Sequence, residues 1–313
     1  MTATTVESPA RGRPSRRGQP RRQPRSALAR NRGRTGMLLS LPAFALVALL
    51  LGIPILQAVY YSMTRWDGLV SVWIGPSTYY DQLTDPTFWR VLENNALLLL
   101  AVPVAIVIPL GIAAVLHERV YGWRFFRSIY FLPTAVSWVV IGMVSARFFA
   151  QDGTLNHMLA AVGLGSVQTD FLAGERTALL AVAITFVWSM VGTNTIIFLT
   201  GLATLDPALH EAAKVDGAGP LRLFWYITFP QLKRFVQFSF VMTVISAFTA
   251  LFSLIFVMTG GGPGYGTTTL EFFVYQTAFA KGEFGTGALL GVILFVIMAA
   301  IGAAQLKLLR SDD

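Results

Sequence analysis

Six long apolar runs alternate with shorter polar stretches along the chain: roughly Met37–Tyr61, Ala96–Leu116, Ile129–Phe149, Ala178–Leu202, Phe235–Met258 and Gly287–Leu306. Each approaches or exceeds the roughly 20 residues a helix needs to cross a hydrocarbon core. The pattern predicts an all-α membrane protein with six transmembrane helices. It excludes an outer-membrane barrel, whose strands alternate apolar and polar residues over about ten positions. Prolines fall in or beside these runs at Pro42, Pro54, Pro103, Pro109 and Pro133. Such breaks are tolerated where neighbouring helices re-satisfy the freed backbone groups.

The polar stretches divide the chain further. Residues 1–36 are rich in Arg, Pro, Ser and Gly and almost free of large apolar side chains, so they are expected to stay disordered. Residues 37–308 hold the spans, with one long polar loop at 203–234, and 309–313 form a short tail. Arg16-Arg17 and Arg21-Arg22 hint at a twin-arginine export signal. The apolar run that follows has no small-x-small cleavage site, so it reads as an uncleaved span.

Composition supports the membrane reading. Of the 313 residues 54% are hydrophobic and 13% charged, against about 25% charged in soluble domains. The net charge of +8 could suggest nucleic acid, but its distribution argues for topology instead. With the N-terminus in the cytoplasm, ten of the 24 Lys and Arg lie in the tail, three in loop 117–128, four in loop 203–234 and two at the C-terminus. Five fall outside: Arg65, Arg90, Arg147, Arg176 and Lys281. That bias follows the positive-inside rule and places both termini in the cytoplasm of a multi-pass plasma-membrane protein. Membrane lipid is the expected partner of the basic tail; nucleic acid is not. The outer stretch 64–93 carries Trp66, Trp73, Tyr79, Tyr80 and Trp89, which suits an interfacial belt.

Several chemistries lack their residues. Cysteine is absent, and His117, His157 and His210 are scattered, so no metal site or thiol nucleophile is expected. No paired carboxylates or Ser-His constellation suggest a membrane enzyme. No span holds an ionisable residue at its middle, although coupled carriers generally use such groups as relays. No G-x-x-x-x-G-K-[ST] occurs, so the chain itself has no P-loop with which to hydrolyse ATP. The glycines of Thr259-Gly260-Gly261-Gly262-Pro263-Gly264-Tyr265-Gly266 therefore read as a turn and not as a phosphate cradle. Uphill transport would need energy from another subunit.

The long polar loop is the most informative segment. Asp206 is placed to cap a helix whose first position is Pro207. Glu211 and Lys214 sit at i, i+3 and are expected to pair weakly. Gly217 suits the left-handed residue after the helix end. Gly219-Pro220 then turns the chain into a second helix expected to reach Pro230. Ala212, Ala213, Gly217 and Ala218 are small enough for another backbone to approach. An amphipathic helix resting on the inner leaflet has the same spacing.

Glu211-Ala212-Ala213, then Asp216-Gly217-Ala218, then Ile227-x-Phe229-Pro230 resembles the EAA motif of binding-protein-dependent ABC importer permeases, with Phe229 replacing the usual Leu. It lies between the fourth and fifth of six spans, as in that family. Arg124-Phe125-Phe126-Arg127 before Phe131-Leu132-Pro133, and Gly153-x-x-Asn156, are similar to other stretches of the same family. Thr259-Gly260-Gly261-Gly262-Pro263 with Tyr275-Gln276-x-Ala278-Phe279 resembles the MalF-like members of the carbohydrate-uptake branch. The resemblance implies the type I importer permease fold. It also implies a second, MalG-like permease, two ATP-binding cassette subunits that hold ATP and Mg, and an extracytoplasmic solute-binding protein. No cofactor is then bound by this chain, which is not itself an enzyme. The residues implied to couple to the ATPase are Glu211, Ala212, Ala213, Asp216, Gly217, Ala218 and Pro230.

Sugars are read by hydroxyl and amide hydrogen bonds and by aromatic stacking. On that chemistry the candidates for the substrate path are Trp188 and Thr195 in the fourth span and Thr243, Ser246, Thr249 and Ser253 in the fifth. Helical geometry puts Thr185, Trp188, Gly192 and Thr195 on one face with Asn194 pointing elsewhere. Small polar residues also mediate helix packing in membranes, as Gly287-x-x-x-Gly291 is expected to do. The alternatives to a sugar importer are a self-contained channel or facilitator for neutral solutes, and an ABC permease for glycerol-phosphate or another solute. Lack of a mid-span cation argues against the phosphate.

Overall fold

The computed structural model describes residues 39–117 and 123–310. The basic tail, the twin arginines and the last three residues lie outside them. Contacts divide the chain into two units after Pro54. In the first, residues 39–54 are helical with no side chain buried.

Among the described residues four helices are long and apolar enough to cross a membrane: Leu39–Tyr61, Pro86–His117, Glu175–Leu202 and Phe284–Lys307. Two bent pairs, Ser128–Ala135 with Trp138–Ala161 and Pro220–Thr249 with Leu251–Met258, bring the number to six. The third span is thus not the single run expected over 129–149. It bends by 112° because Pro133 cannot donate within a helix. The chain tightens into a 3-10 turn at Leu132–Ala135 and goes extended at Val136. Ser137 then caps a new helix by accepting from Val140 N.

The second span begins ten residues earlier than its apolar run. Asp85 caps it through Thr87 N at 2.8 Å, with Pro86 in the first turn. Prolines elsewhere are absorbed without ending the helix. π turns at Ala48–Gly52 and Phe224–Thr228 each finish two residues before a proline, Pro54 and Pro230. Widening the turn accommodates the hydrogen bond and the space that proline removes. The helix from Pro220 therefore does not stop at Pro230, but continues to Thr249 and forms most of the fifth span.

The core joins the second, fourth and fifth spans. Phe186, Phe198, Leu232, Leu254 and Ile255 are fully buried in it. Asn194 is also buried there. Its Nδ2 donates to Ala105 O at 2.7 Å and to Thr243 Oγ1 at 3.0 Å, tying the three spans together. Hydrogen bonds of this kind hold helices where lipid offers no hydrophobic driving force. The fourth span lies close to the bend of the third at Gly192, where a Cβ would come within 2.5 Å of Tyr130 O.

Candidate functional site

The fourth span ends at Leu202, and the helix Pro207–Val215 follows after a short turn. Asp206 Oδ1 accepts from Ala208 N at 2.9 Å, satisfying one of the orphan donors of the first turn. The far end closes in a Schellman motif. Gly217 N donates to Lys214 O at 3.1 Å and Ala218 N to Ala213 O at 2.9 Å, with Gly217 at φ +78°. Gly219 is extended, and Pro220 opens the next helix. Both ends of the short helix are thus fixed by the local sequence.

One side-chain bond ties this helix to the fifth span. His210 Nε2 lies 3.1 Å from Thr228 Oγ1, and Thr228 is buried at the π turn. Sequence reasoning missed this role, since a single histidine carries no spacing signal. Leu205, Phe224 and Phe229 pack on the edge of the core, and Trp225 lies against Phe224 and Phe229 at 5.4 and 5.2 Å between rings.

The rest of the loop faces outward. Glu211, Ala212, Asp216, Gly217 and Pro230 are exposed, and Ala213 and Ala218 half-buried. Glu211 and Lys214 do not form the expected ion pair: among the described residues the ion pairs are Arg90–Glu93 and Arg90–Glu175. An exposed pair of this spacing gains only about 0.3–0.5 kcal/mol, too little to fix two solvated side chains. Apolar groups stand out beside the charges, with Val215 87% and Leu221 77% exposed. A Cβ at Gly217 would meet nothing within 4 Å. The arrangement is an outward-facing helix capped at both ends, with the exposed carboxylates of Glu211 and Asp216, small residues and uncovered apolar side chains.

On the other side, the second span clamps the glycine-rich loop. Asn94 Nδ2 donates to Tyr265 O and Thr268 O at 2.8 and 2.9 Å. Asn95 accepts from Leu270 N at 2.7 Å and donates to Glu271 Oε2 at 3.2 Å. Within the loop, Gly261 N, Gly262 N, Gly266 N, Thr267 N and Thr268 N all donate to Thr259 or to backbone oxygens of the same loop. Those amides are engaged, so the loop is a structural turn. Asn156 plays the same part in the loop between the third and fourth spans. Its Nδ2 donates to Gln151 O and Thr169 O at 2.8 Å. A Cβ on Gly153 would clash with Arg147 O at 2.5 Å, which accounts for Gly153-x-x-Asn156.

The substrate-path candidates do not form one stripe. Thr195 and Thr243 are fully buried, Thr243 against Asn194. Trp188 and Thr249 are exposed, and Ser246 and Ser253 half-buried. Asn194, expected off the polar face, is the residue that joins the spans.

Six apolar spans with a capped helix between the fourth and fifth define a polytopic importer permease of type I fold. Residues 107–311 match the binding-protein-dependent transport system inner membrane components, and the chain belongs to that family. It is 31% identical over 263 residues to the multiple sugar-binding transport system permease MsmF of Streptococcus mutans, covering 83% of this chain and 90% of that one. It is 32% identical over 274 residues to the sn-glycerol-3-phosphate transport system permease UgpA of Agrobacterium fabrum, covering 86% and 92%. The fold also matches a chain of a bacterial alginate ABC transporter solved with an alginate pentasaccharide-bound periplasmic protein. That match has TM-score 0.75 and 19% identity over 90% of this chain and 96% of the other.

Proposed function

We propose that this chain is one of two permease subunits of an ABC importer for a sugar, and that Pro207–Val215 is its joint to the ATPase. The observation that carries the joint is the outward helix fixed by Asp206, the Schellman turn and His210. Glu211 offers a charge-assisted acceptor to donors on an ATPase surface. Gly217 sets the direction in which the helix leaves the membrane, and Ala212 and Ala218 allow close approach. ATP and Mg are held by the partner subunits, and the external binding protein delivers the solute.

The sugar reading is supported by relatives such as MsmF and by the chemistry of the spans. UgpA is a relative named for a phosphate ester. The apolar runs of the sequence, however, carry no Lys or Arg at their middles, and Lys233 and Arg234 lie in the helix Pro220–Thr249 but before its apolar part from Phe235. A path without a mid-span cation favours a neutral solute over a phosphate.

The test is reconstitution in vesicles with the second permease, the ATPase and the binding protein, measuring ATP-dependent uptake of labelled sugar. Glu211→Ala should abolish uptake while the binding protein still loads its ligand and the complex still assembles. Uptake at the unmodified rate would reject the joint. Uptake of glycerol-phosphate in place of sugar would reject the substrate class alone.

A further inference from the structure

Two neighbouring side chains of the second span hold the segment that joins the fifth and sixth. Asn94 Nδ2 donates to Tyr265 O and Thr268 O, and Asn95 Oδ1 accepts from Leu270 N at 2.7 Å. The other end of Asn95, its Nδ2, donates to Glu271 Oε2 at 3.2 Å. The clamp therefore closes on a carboxyl group.

That carboxyl has little else to hold it. Its Oε1 is buried without a hydrogen-bond partner, and so is the hydroxyl of the fully buried Thr269. Among the described residues no cation is paired with it. Arg90, on the same helix as Asn95, is engaged by Glu93 and Glu175 at 3.0 and 2.9 Å. Lys281 lies over the Phe273 ring, 5.4 Å from its centroid, and Glu283 is exposed. The Tyr265 ring packs on Phe273, and the Tyr275 ring on Phe252 and Phe272. Helix Leu251–Met258 brings no acid or base, and Phe284–Arg310 carries its only two, Lys307 and Arg310, at its far end. An anion at this place would lose its water without gaining a counter-charge. Burial accordingly pushes the carboxyl up to about 7, and the Asn95 amide and the backbone N–H of Glu271 oppose it only in part.

We propose that Asn95 and Glu271 form a proton-controlled latch between the second span and segment 265–275, closed while the carboxyl is neutral and released when it ionises. On ionisation Oε1 needs water, which it reaches only by leaving its buried place. Release of Glu271 also loosens Leu270 N, because one Asn95 side chain holds both. The latch sits at the end of the fifth span opposite the capped helix, and it does not rest on the importer reading.

The test is hydrogen exchange read by mass spectrometry, on the full chain in lipid nanodiscs with the subunits that co-purify. Exchange is compared at pH 6 and 8 after correction for the intrinsic rate. A carboxyl of pKa about 7 when latched and 4.5 when released makes the closed-to-open ratio fall about tenfold between those values. Protection of the peptide around Leu270 should fall by that factor, while the fourth span keeps its protection. Glu271→Gln stays neutral and still accepts from Asn95, so it should hold the pH 6 protection at both values. Asn95→Leu should leave the peptide poorly protected at both. Protection of the unmodified peptide that ignores pH would overturn the latch, as would an equal fall in the Gln variant. An equal fall in the fourth span would also overturn it, because the whole chain would then be opening.

Discussion

Gly217 and Glu271 show how single residues constrain this chain in different ways. Gly217 stands in open space at φ +78°, so its requirement within the chain is conformational and not steric. Asn tolerates the left-handed region far better than a β-branched residue. Gly217→Asn should therefore leave the isolated chain as stable as before, while Gly217→Val should cost about 1–2 kcal/mol of local helix closure. If the ATPase closes over position 217, both variants should lose uptake. Uptake retained by Asn and lost by Val would show that only the turn matters. Glu271 lies in the segment between the fifth and sixth spans. Its carboxyl is pushed up to about 7, chiefly by burial, against the opposing hydrogen bonds of its own amide and Asn95. Its Oε1 and the Thr269 hydroxyl both lack partners. Below pH about 7 the fold therefore holds the neutral acid. A folded pKa above the unfolded one gives stability that is complete below pH about 4.5 and declines as pH rises to about 7. Thermal unfolding in detergent should show that decline across the window, and Glu271→Gln should flatten it. An unchanged pH profile in the Gln variant would contradict the neutral acid.

At the scale of elements, hydropathy located every span, but it placed their ends and breaks less well. The second span gains ten residues at its start, where Arg90, Asn94 and Asn95 interrupt the apolar run. Asn94 and Asn95 are the residues that clamp the glycine-rich loop, so the signal that hid the helix end also hid its function. The third span looked continuous because Leu132 to Val139 is apolar apart from Pro133, Thr134 and Ser137, although those residues are the ones that bend it. The short helix between the fourth and fifth spans was legible in full, since caps depend on neighbouring residues. Its strut from His210 to Thr228 was not, because it joins positions 18 apart. His210→Ala should free the helix from the fifth span without disturbing the core. Hydrogen exchange of residues 207–216 should then rise while that of the fourth span stays unchanged. Within the core, Asn194→Ala removes both bonds that cross to the second and fifth spans and leaves Ala105 O and Thr243 without them. It should cost about 1–2 kcal/mol, read as a lower unfolding temperature in detergent. A neutral result would mean that apolar packing alone joins these spans.

The orientation of the whole molecule rests on its charge distribution, and it decides whether the loop can meet a cytoplasmic ATPase at all. Nineteen of the 24 Lys and Arg fall on the side of the termini and of loop 203–234. Much of that excess is the tail, yet the loops and the C-terminus keep the same sign. Two exposed side chains report on opposite faces. Val215 follows Glu211 on the short helix and is 87% exposed, while Leu69 at the tip of the hairpin Thr64–Trp73 is 93% exposed. The absence of cysteine makes Val215→Cys and Leu69→Cys unique labels. In intact cells an impermeant maleimide should label position 69 and not 215, and permeabilising the membrane should expose 215. Labelling of 215 in intact cells would invert the topology and remove the joint. Co-assembly with the ATPase adds a second reading. If Pro207–Val215 docks into that subunit, position 215 should become protected in permeabilised cells while position 69 stays reactive. Protection of neither site would leave the orientation standing but place the ATPase elsewhere. Protection of 215 alone ties the capped helix to its partner without any measurement of transport.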